Sequence, residues 1–353
     1  MLQVQTAPIN TALAARSELI SPEAAVAIAK AHYGITADAQ KLAGEKDSNY
    51  LLRTETGAEF LLKVVNPGED PAVTNMHTLA LRHVAERDPG MPVQRVVATL
   101  AGDPEFRLSC GPGDTRTVRL VTFTQGTLQR KSNQTSAQRR NAGIMLGRLQ
   151  DALEDFQHPA QNHYSSWDMK NAPALEAMLA DLPASGGRAE LTDWLTTFED
   201  RVLPLVPSLR AQVVHNDLNS DNIVVDPNNT DEIVGIIDFG DMVRTPVLFD
   251  VAVAAAYQLT DVDEPMAAVV DFVGGFHERR PLASSEVRLL FNTIVARMVM
   301  RIAITEWRAV RFPENRQYIM RNTPRAWLQF HRLCEIPERE ATSAIARALS
   351  IQE

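Results

Sequence analysis

Two cysteines in 353 residues, Cys110 and Cys334, stand far apart and in no paired spacing, which excludes a disulfide framework and a zinc ribbon. Long apolar runs are missing too. None reaches the ~18 residues that a bilayer-crossing helix needs, and residues 1–20 lack the basic patch and apolar stretch of an export signal. Positive charge is in short supply, with 35 Lys and Arg against 44 Asp and Glu, a net −9, so a nucleic-acid surface is not expected. No histidine pair has H-E-x-x-H spacing, and "CGPGDT" at residues 110–115 lacks the Lys-Ser/Thr that ends a P-loop, so it reads as a turn between strands. No repeat, low-complexity tract or charge block interrupts the chain. A soluble, cytoplasmic protein that binds neither membrane nor nucleic acid is expected.

What is present is a chain 45% hydrophobic, enough for a sizeable core. Ser21-Pro22-Glu23 makes a helix start, and apolar residues keep to one face until Gly34 ends it. In "NYLLRTETGAEFLLKVVNP" two strand-like runs, residues 50–54 and 59–65, flank "ETGA" as a hairpin. A helical pattern, "TNMHTLALRHVAERDPG", follows, and then "VQRVVATL" and "TRTVRLVTF" resume strand character. From Gln134 onward long amphipathic helical patterns dominate, among them "AQRRNAGIMLGRLQDALEDF", whose Gly143 and Gly147 point to close helix packing. The fold class expected is α+β and bilobed. A small β-rich lobe would span residues 1–124 and a mainly helical lobe residues 125–353, with the change of texture at "TFTQGT", residues 122–127.

The helical part has one exception, "VVHNDLNSDNIVVD" at residues 213–226, followed across the turn "PNNTD" by "EIVGIIDFGD". Turn chemistry alone accounts for some of its three Asp and three Asn. The spacing of His215, Asp217 and Asn222, with Asp238 in "IIDFGD", also suits phosphoryl transfer. That reaction needs a carboxylate to orient and deprotonate a hydroxyl, and oxygen ligands to hold Mg²⁺ against nucleotide phosphates. Asp217 fits the first task; Asn222 and Asp238 fit the second. Lys63, in a strand between apolar residues, supplies a cation for the phosphates, the competing account being an edge-strand lysine. The turn "GEKDSN", residues 44–49, would lay backbone N–H groups and the Ser48 hydroxyl over them. His215 reads as a packed brace of the loop.

On these residues the chain resembles the aminoglycoside phosphotransferase and choline kinase superfamily, whose fold is a cousin of the protein kinases. "HNDLNSDN" and "IIDFGD" carry the resemblance, supported by "FLLKV" and "FDVAVAAAY". The stretches "GEKDSNYLLRT", "ERDPGMPVQRVV", "LGRLQDAL", "SSWDMK" and "DFGDMVRTPVLFDVAVA" are most similar to the hydroxylysine kinase branch, over nearly all of residues 35–335. The resemblance implies Asp217 as catalytic base, Asn222 and Asp238 as metal ligands, Lys63 as the phosphate-binding lysine, and Mg²⁺ with ATP or GTP as donor. It implies that Asp250 braces the catalytic loop, a helix N-cap being the alternative. Asn75 falls where the family usually carries the acidic partner of the lysine, with Glu69 or Glu86 as substitutes. Asn216 replaces a glycine common among relatives, a change its tolerance of unusual backbone angles permits.

The acceptor expected is a hydroxyl on a small amine or amino acid. Asp168 or Asp241 would meet its ammonium and Arg297 or Arg301 its carboxylate, with Trp167 nearby; solvated charges and a core tryptophan are the plainer account of each. Other readings are an aminoglycoside or amino-alcohol kinase and a catalytically silent nucleotide-binding module, the latter suggested by Asn75. A protein kinase is disfavoured, because nine residues, 241–249, separate "DFG" from "DVAVA" and no A-P-E follows.

Overall fold

Ser21 and Gly34 bracket the first helix, α1 (Pro22–Tyr33). Ser21 Oγ accepts from the Ala24 N–H at 3.2 Å, and Gly34 takes the left-handed conformation, φ 69°, that closes it. The structure, a computed structural model, describes residues 20–42, 47–184, 186–259 and 264–351. The strands are β1 (Asp38–Leu42), β2 (Ser48–Arg53), β3 (Glu59–Val64), β4 (Val96–Val97), β5 (Phe106–Gly111), β6 (Asp114–Thr122), β7 (Thr127–Leu128), β8 (Ala211–Val214), β9 (Ile223–Val225), β10 (Ile233–Ile236) and β11 (Val243–Pro246). The remaining helices are α2 (Pro71–Arg87), α3 (Ser136–Ala152), α4 (Leu175–Ala180), α5 (Gly186–Arg201), α6 (Val247–Gln258), α7 (Pro265–Arg279), α8 (Ser284–Arg311), α9 (Arg316–Ile319), α10 (Thr323–Cys334) and α11 (Glu338–Ala348). None of the described helices is long and apolar enough to cross a membrane.

The first six strands form one antiparallel sheet, in the order β1-β2-β3-β6-β4 with β5 also on β6. Period-two alternation sorts its side chains. Tyr50, Leu52, Leu62, Val64, Val118 and Leu120 pack under α1, whereas Leu61 and Val121 join the larger core on the opposite face. Lys63 shares the face of Leu61, which is how an apolar strand turns one cation towards the helical lobe. The stretch "VQRVVATL" keeps only the two residues of β4 in the sheet, because β5 already holds Thr115–Val118 of β6 and leaves Leu120 and Val121 as partners.

The helical lobe is built on α8, 28 residues long, against which α5, α6, α10 and α11 pack. Beside it α3 and α7 lie in close contact because glycines face each other's backbones. A Cβ on Gly143 would overlap the Phe272 carbonyl oxygen and come within 2.7 Å of the Phe276 nitrogen; one on Gly275 would overlap the Arg140 carbonyl oxygen. The protein is thus α+β and bilobed, with a protein-kinase-like fold.

Candidate active site

Two short antiparallel pairs hold the polar loops side by side. β8 pairs with β11, and β9 with β10, so the loop at residues 215–222 and the link at residues 237–242 leave and re-enter neighbouring strands. Asn216 has a left-handed backbone, φ 63°, and its N–H donates to Asp250 Oδ1 at 2.7 Å. Gln150 Nε2 donates to the other Asp250 oxygen at 2.8 Å. Asp250 lies inside α6, fully buried, so it braces the loop and does not cap the helix. His215, equally buried, stands edge-on to Phe239 at 4.8 Å with Nε2 3.1 Å from the Ile237 carbonyl, tying the two loops together.

Asp217 is the hub of the loop. Asn219 and Asn222 each donate a side-chain N–H to its Oδ2 at 2.9 Å, and Asn222 donates also to its backbone carbonyl at 2.8 Å. Arg297 Nη2 lies 3.6 Å from Oδ1. Burial, then the nearby Asp241 carboxylate, push the Asp217 carboxyl up to about 8 against the opposing pull of Arg297. Arg297, itself buried, donates to the Trp167 carbonyl at 3.1 Å and stacks on the Trp167 ring at 4.9 Å.

Asp238 presents the opposite case. It sits at φ 59° with its side chain 55% exposed, and Lys63 Nζ lies 3.4 Å away. The Lys63 ammonium, more than any other influence, holds the Asp238 carboxyl down at about 2. Asp47 is the second carboxylate on Lys63, at 3.2 Å. Burial opposes charge on Lys63, but Asp238 and Asp47 more than offset it and keep the ammonium above the ordinary lysine range. An ionised carboxylate open to solvent, and an Asn222 amide whose nitrogen faces Asp217 and whose oxygen therefore faces away, are hard oxygen donors of the kind Mg²⁺ takes.

On its other side Asp217 borders a cavity of about 310 Å³. Trp167, Asp241, Tyr257, Arg297 and Arg301 are among the residues that line it.

The family model described as phosphotransferase enzyme family matches residues 38–283, from β1 to the approach to α8. The chain belongs to the phosphotransferase enzyme family. It is a small-molecule kinase. Hydroxylysine kinase of Danio rerio is 26% identical over 89% of this phosphotransferase and 91% of its own length. An amicoumacin kinase in complex with AMP-PNP and Ca²⁺ superposes with a TM-score of 0.64 at 14% identity, over 85% of this chain and 89% of that one. A microcompartment-associated aminopropanol kinase does so at 0.62 and 18% identity, over 91% and 98%. At such identities these two likenesses speak to the fold alone.

Several expected site residues of this phosphotransferase fall elsewhere. Asn75 does not stand beside Lys63: its Nδ2 donates to Glu105 Oε1 at 2.9 Å and its Oδ1 meets His158 Nε2 at 3.2 Å. The lysine's acidic partner is Asp47, which sequence reasoning missed. The hairpin register could have found it, since Asn49 pairs with Lys63 and residue 47 lies diagonally on the same face. Ser48 pairs with Val64 and is buried, so its side chain belongs to the opposite face from Lys63. Residues 44–46 of the same expected turn lie outside the described residues. Asp168 is buried, accepting from Thr245 Oγ1 at 2.8 Å and the Lys170 N–H at 3.1 Å, and is not among the residues lining the cavity. Arg297 does line the cavity, with its guanidinium already engaged by Asp217 and the Trp167 carbonyl. Asn219, whose Oδ1 accepts from the Asp221 N–H in the turn, also holds Asp217, a role its sequence position did not reveal.

Proposed function

We propose that this phosphotransferase moves the γ-phosphoryl group of ATP or GTP, with Mg²⁺, to a hydroxyl of a small amine or amino acid of the hydroxylysine kind. The observation that carries the proposal is the double membership of Asp217. It is hydrogen-bonded to Asn222, whose backbone carbonyl accepts from the Ile237 N–H next to Asp238, the partner of Lys63, and it borders the cavity that would admit an acceptor.

Asp217 would take the proton of the acceptor hydroxyl, and burial with the Asp241 carboxylate nearby raises its affinity for that proton. Asn219 and Asn222 fix the carboxylate plane, and Arg297 limits how far its basicity can rise. When bound, Mg²⁺ neutralises charge building on the phosphates, and Asp238 and Asn222 are the oxygen donors suited to hold it. Lys63 would steady the phosphates from the sheet side, itself oriented by Asp47. Against the silent reading, which starts from Asn75, stands Asp47, a carboxylate partner for Lys63 at 3.2 Å.

Replacing Asp217→Asn should lower kcat by ~10²–10⁴-fold, the usual worth of a positioned base, while calorimetric binding of Mg²⁺-ATP stays within about twofold. The assay is nucleotide consumption with hydroxylysine, homoserine, choline and aminoglycosides in turn. Wild-type turnover in the Asn variant would overturn the role of Asp217. Nucleotide binding without turnover on any acceptor would favour the silent reading instead.

A further inference from the structure

We infer that the acceptor cavity holds a carboxylate subsite, centred on Arg301, Arg321 and Thr323, and that the acceptor carries an anion remote from its reacting hydroxyl. The inference rests on the kinase reading above and narrows its acceptor from amines in general to amino acids and other hydroxy acids.

The acidic and basic residues of the cavity come from different elements. The polar loops contribute Asp217, Asp221 and Asp241, and, apart from Arg130, which pairs with Asp221, the arginines come from α8 and from the turns around the start of α10. Arg297, Arg301 and Arg308 recur on one face of α8. At ~1.5 Å rise per residue Arg301 stands roughly 6 Å along the axis beyond the arginine that touches Asp217.

Several packed arginines elsewhere have carboxylate partners: Arg139 with Asp271 at 2.7 Å, Arg210 with Glu286 at 2.7 Å, and Arg280 with Asp151 at 2.8 Å. Arg301 differs. Its contacts are the Tyr257 ring at 4.8 Å and the neutral Gln329 Oε1 at 3.5 Å. Arg321 contacts the Tyr318 ring at 3.8 Å and the Tyr318 carbonyl at 2.8 Å. Among the described residues neither has a carboxylate within ion-pair distance. Two guanidiniums held against neutral partners in one cavity create a positive potential there, and each keeps donors in the planar fork that matches a carboxylate.

A second observation points the same way. Thr323, the first residue of α10, lines the cavity and is buried, and its hydroxyl has no hydrogen-bond partner. The N-cap of the 12-residue α10, Asn322, makes no side-chain cap. A buried, unsatisfied hydroxyl at a helix N-terminus between arginines is costly in isolation and is relieved by an acceptor oxygen. A polycationic acceptor such as an aminoglycoside would instead set its ammonium groups against those arginines.

Two measurements separate this inference from the kinase reading. Calorimetry compares L-lysine, which is hydroxylysine without the reacting hydroxyl, with 1,5-diaminopentane, the same molecule without the carboxylate. The wild-type protein should bind lysine at least tenfold more tightly, and Arg301→Gln and the exposed-site variant Arg321→Gln should each remove most of that preference. Equal or tighter binding of the diamine, binding of neither, or variants that keep the preference would overturn the subsite.

Turnover then compares homoserine with 3-aminopropanol. Preference for homoserine, with its KM raised about tenfold and kcat little changed in Arg301→Gln, supports the subsite. Lysine preference without phosphorylation of any acceptor would leave the subsite standing and sink the kinase reading. Phosphorylation that favours the aminopropanol would do the reverse.

Discussion

Lys63 lies directly across the sheet from Arg119, two cations in register on adjacent strands, an arrangement that is unfavourable unless carboxylates surround it. Asp47 and Asp238 supply them on the Lys63 side, at 3.2 and 3.4 Å. Asp47 therefore both relieves repulsion and aims the ammonium. Asp47→Asn should raise the KM for Mg²⁺-ATP about tenfold, the worth of one charge-assisted hydrogen bond at ~1.5 kcal/mol, with a smaller change in kcat. An unchanged nucleotide KM would show that Asp238 alone suffices. The residues that carry chemistry were legible where spacing is dictated by one short loop, as with Asp217 and Asn222. They were not legible where the pairing crosses strands or lobes. Asp168 and Asn75 looked available in sequence because nothing there reveals Thr245 or Glu105 reaching them through space.

At the scale of elements, the α3–α7 contact makes a graded prediction. A methyl on Gly143 overlaps rigid backbone, the Phe272 carbonyl, and comes within 2.7 Å of the Phe276 nitrogen, whereas one on Gly147 meets Arg279 Cγ and Cβ at 3.0–3.1 Å, a tight contact that a shift of a few tenths of an ångström relieves. Gly143→Ala should lower stability by ~1–3 kcal/mol or more, in the manner of overpacked interiors. Gly147→Ala should cost less, about 1 kcal/mol or under, because its contacts are tight without the overlap found at Gly143. Urea midpoints with unchanged m-values would measure both; equal losses would contradict the rigid-backbone account. Helix ends at Ser21 and Gly34, the hairpin of β2 and β3, and the glycine pair of α3 were readable because each is fixed by local chemistry or one repeat. The shrinking of "VQRVVATL" to two paired residues was not, since it depends on how much of β6 another strand has taken.

For the whole molecule, acid tests the balance of buried titratable groups. Burial, more than any other influence, holds His77 well below the ordinary histidine value, and its Nε2 has no partner. The unfolded chain takes up a proton near pH 6.5 that the folded chain refuses, so the contribution of His77 to stability falls as pH drops below that value. Asp217 and Asp250, whose carboxyls are raised by burial, act in the opposite sense by holding protons the unfolded chain has lost. The clean readout is therefore a difference. Stability of the unliganded wild type relative to His77→Gln should decline by about 1.4 kcal/mol per pH unit at most between pH 6.5 and 5.5. A pH-independent difference would place the proton on His77 in the folded state. The link at residues 237–242, six residues between the paired strands β10 and β11, has a further consequence. Held by a paired strand at each end and hydrogen-bonded at Ile237 to both His215 and Asn222, it resists a swing of Asp238 that would act as a brake on the enzyme. Its pace should follow nucleotide and acceptor supply from the first second, with progress curves that start straight and show no lag.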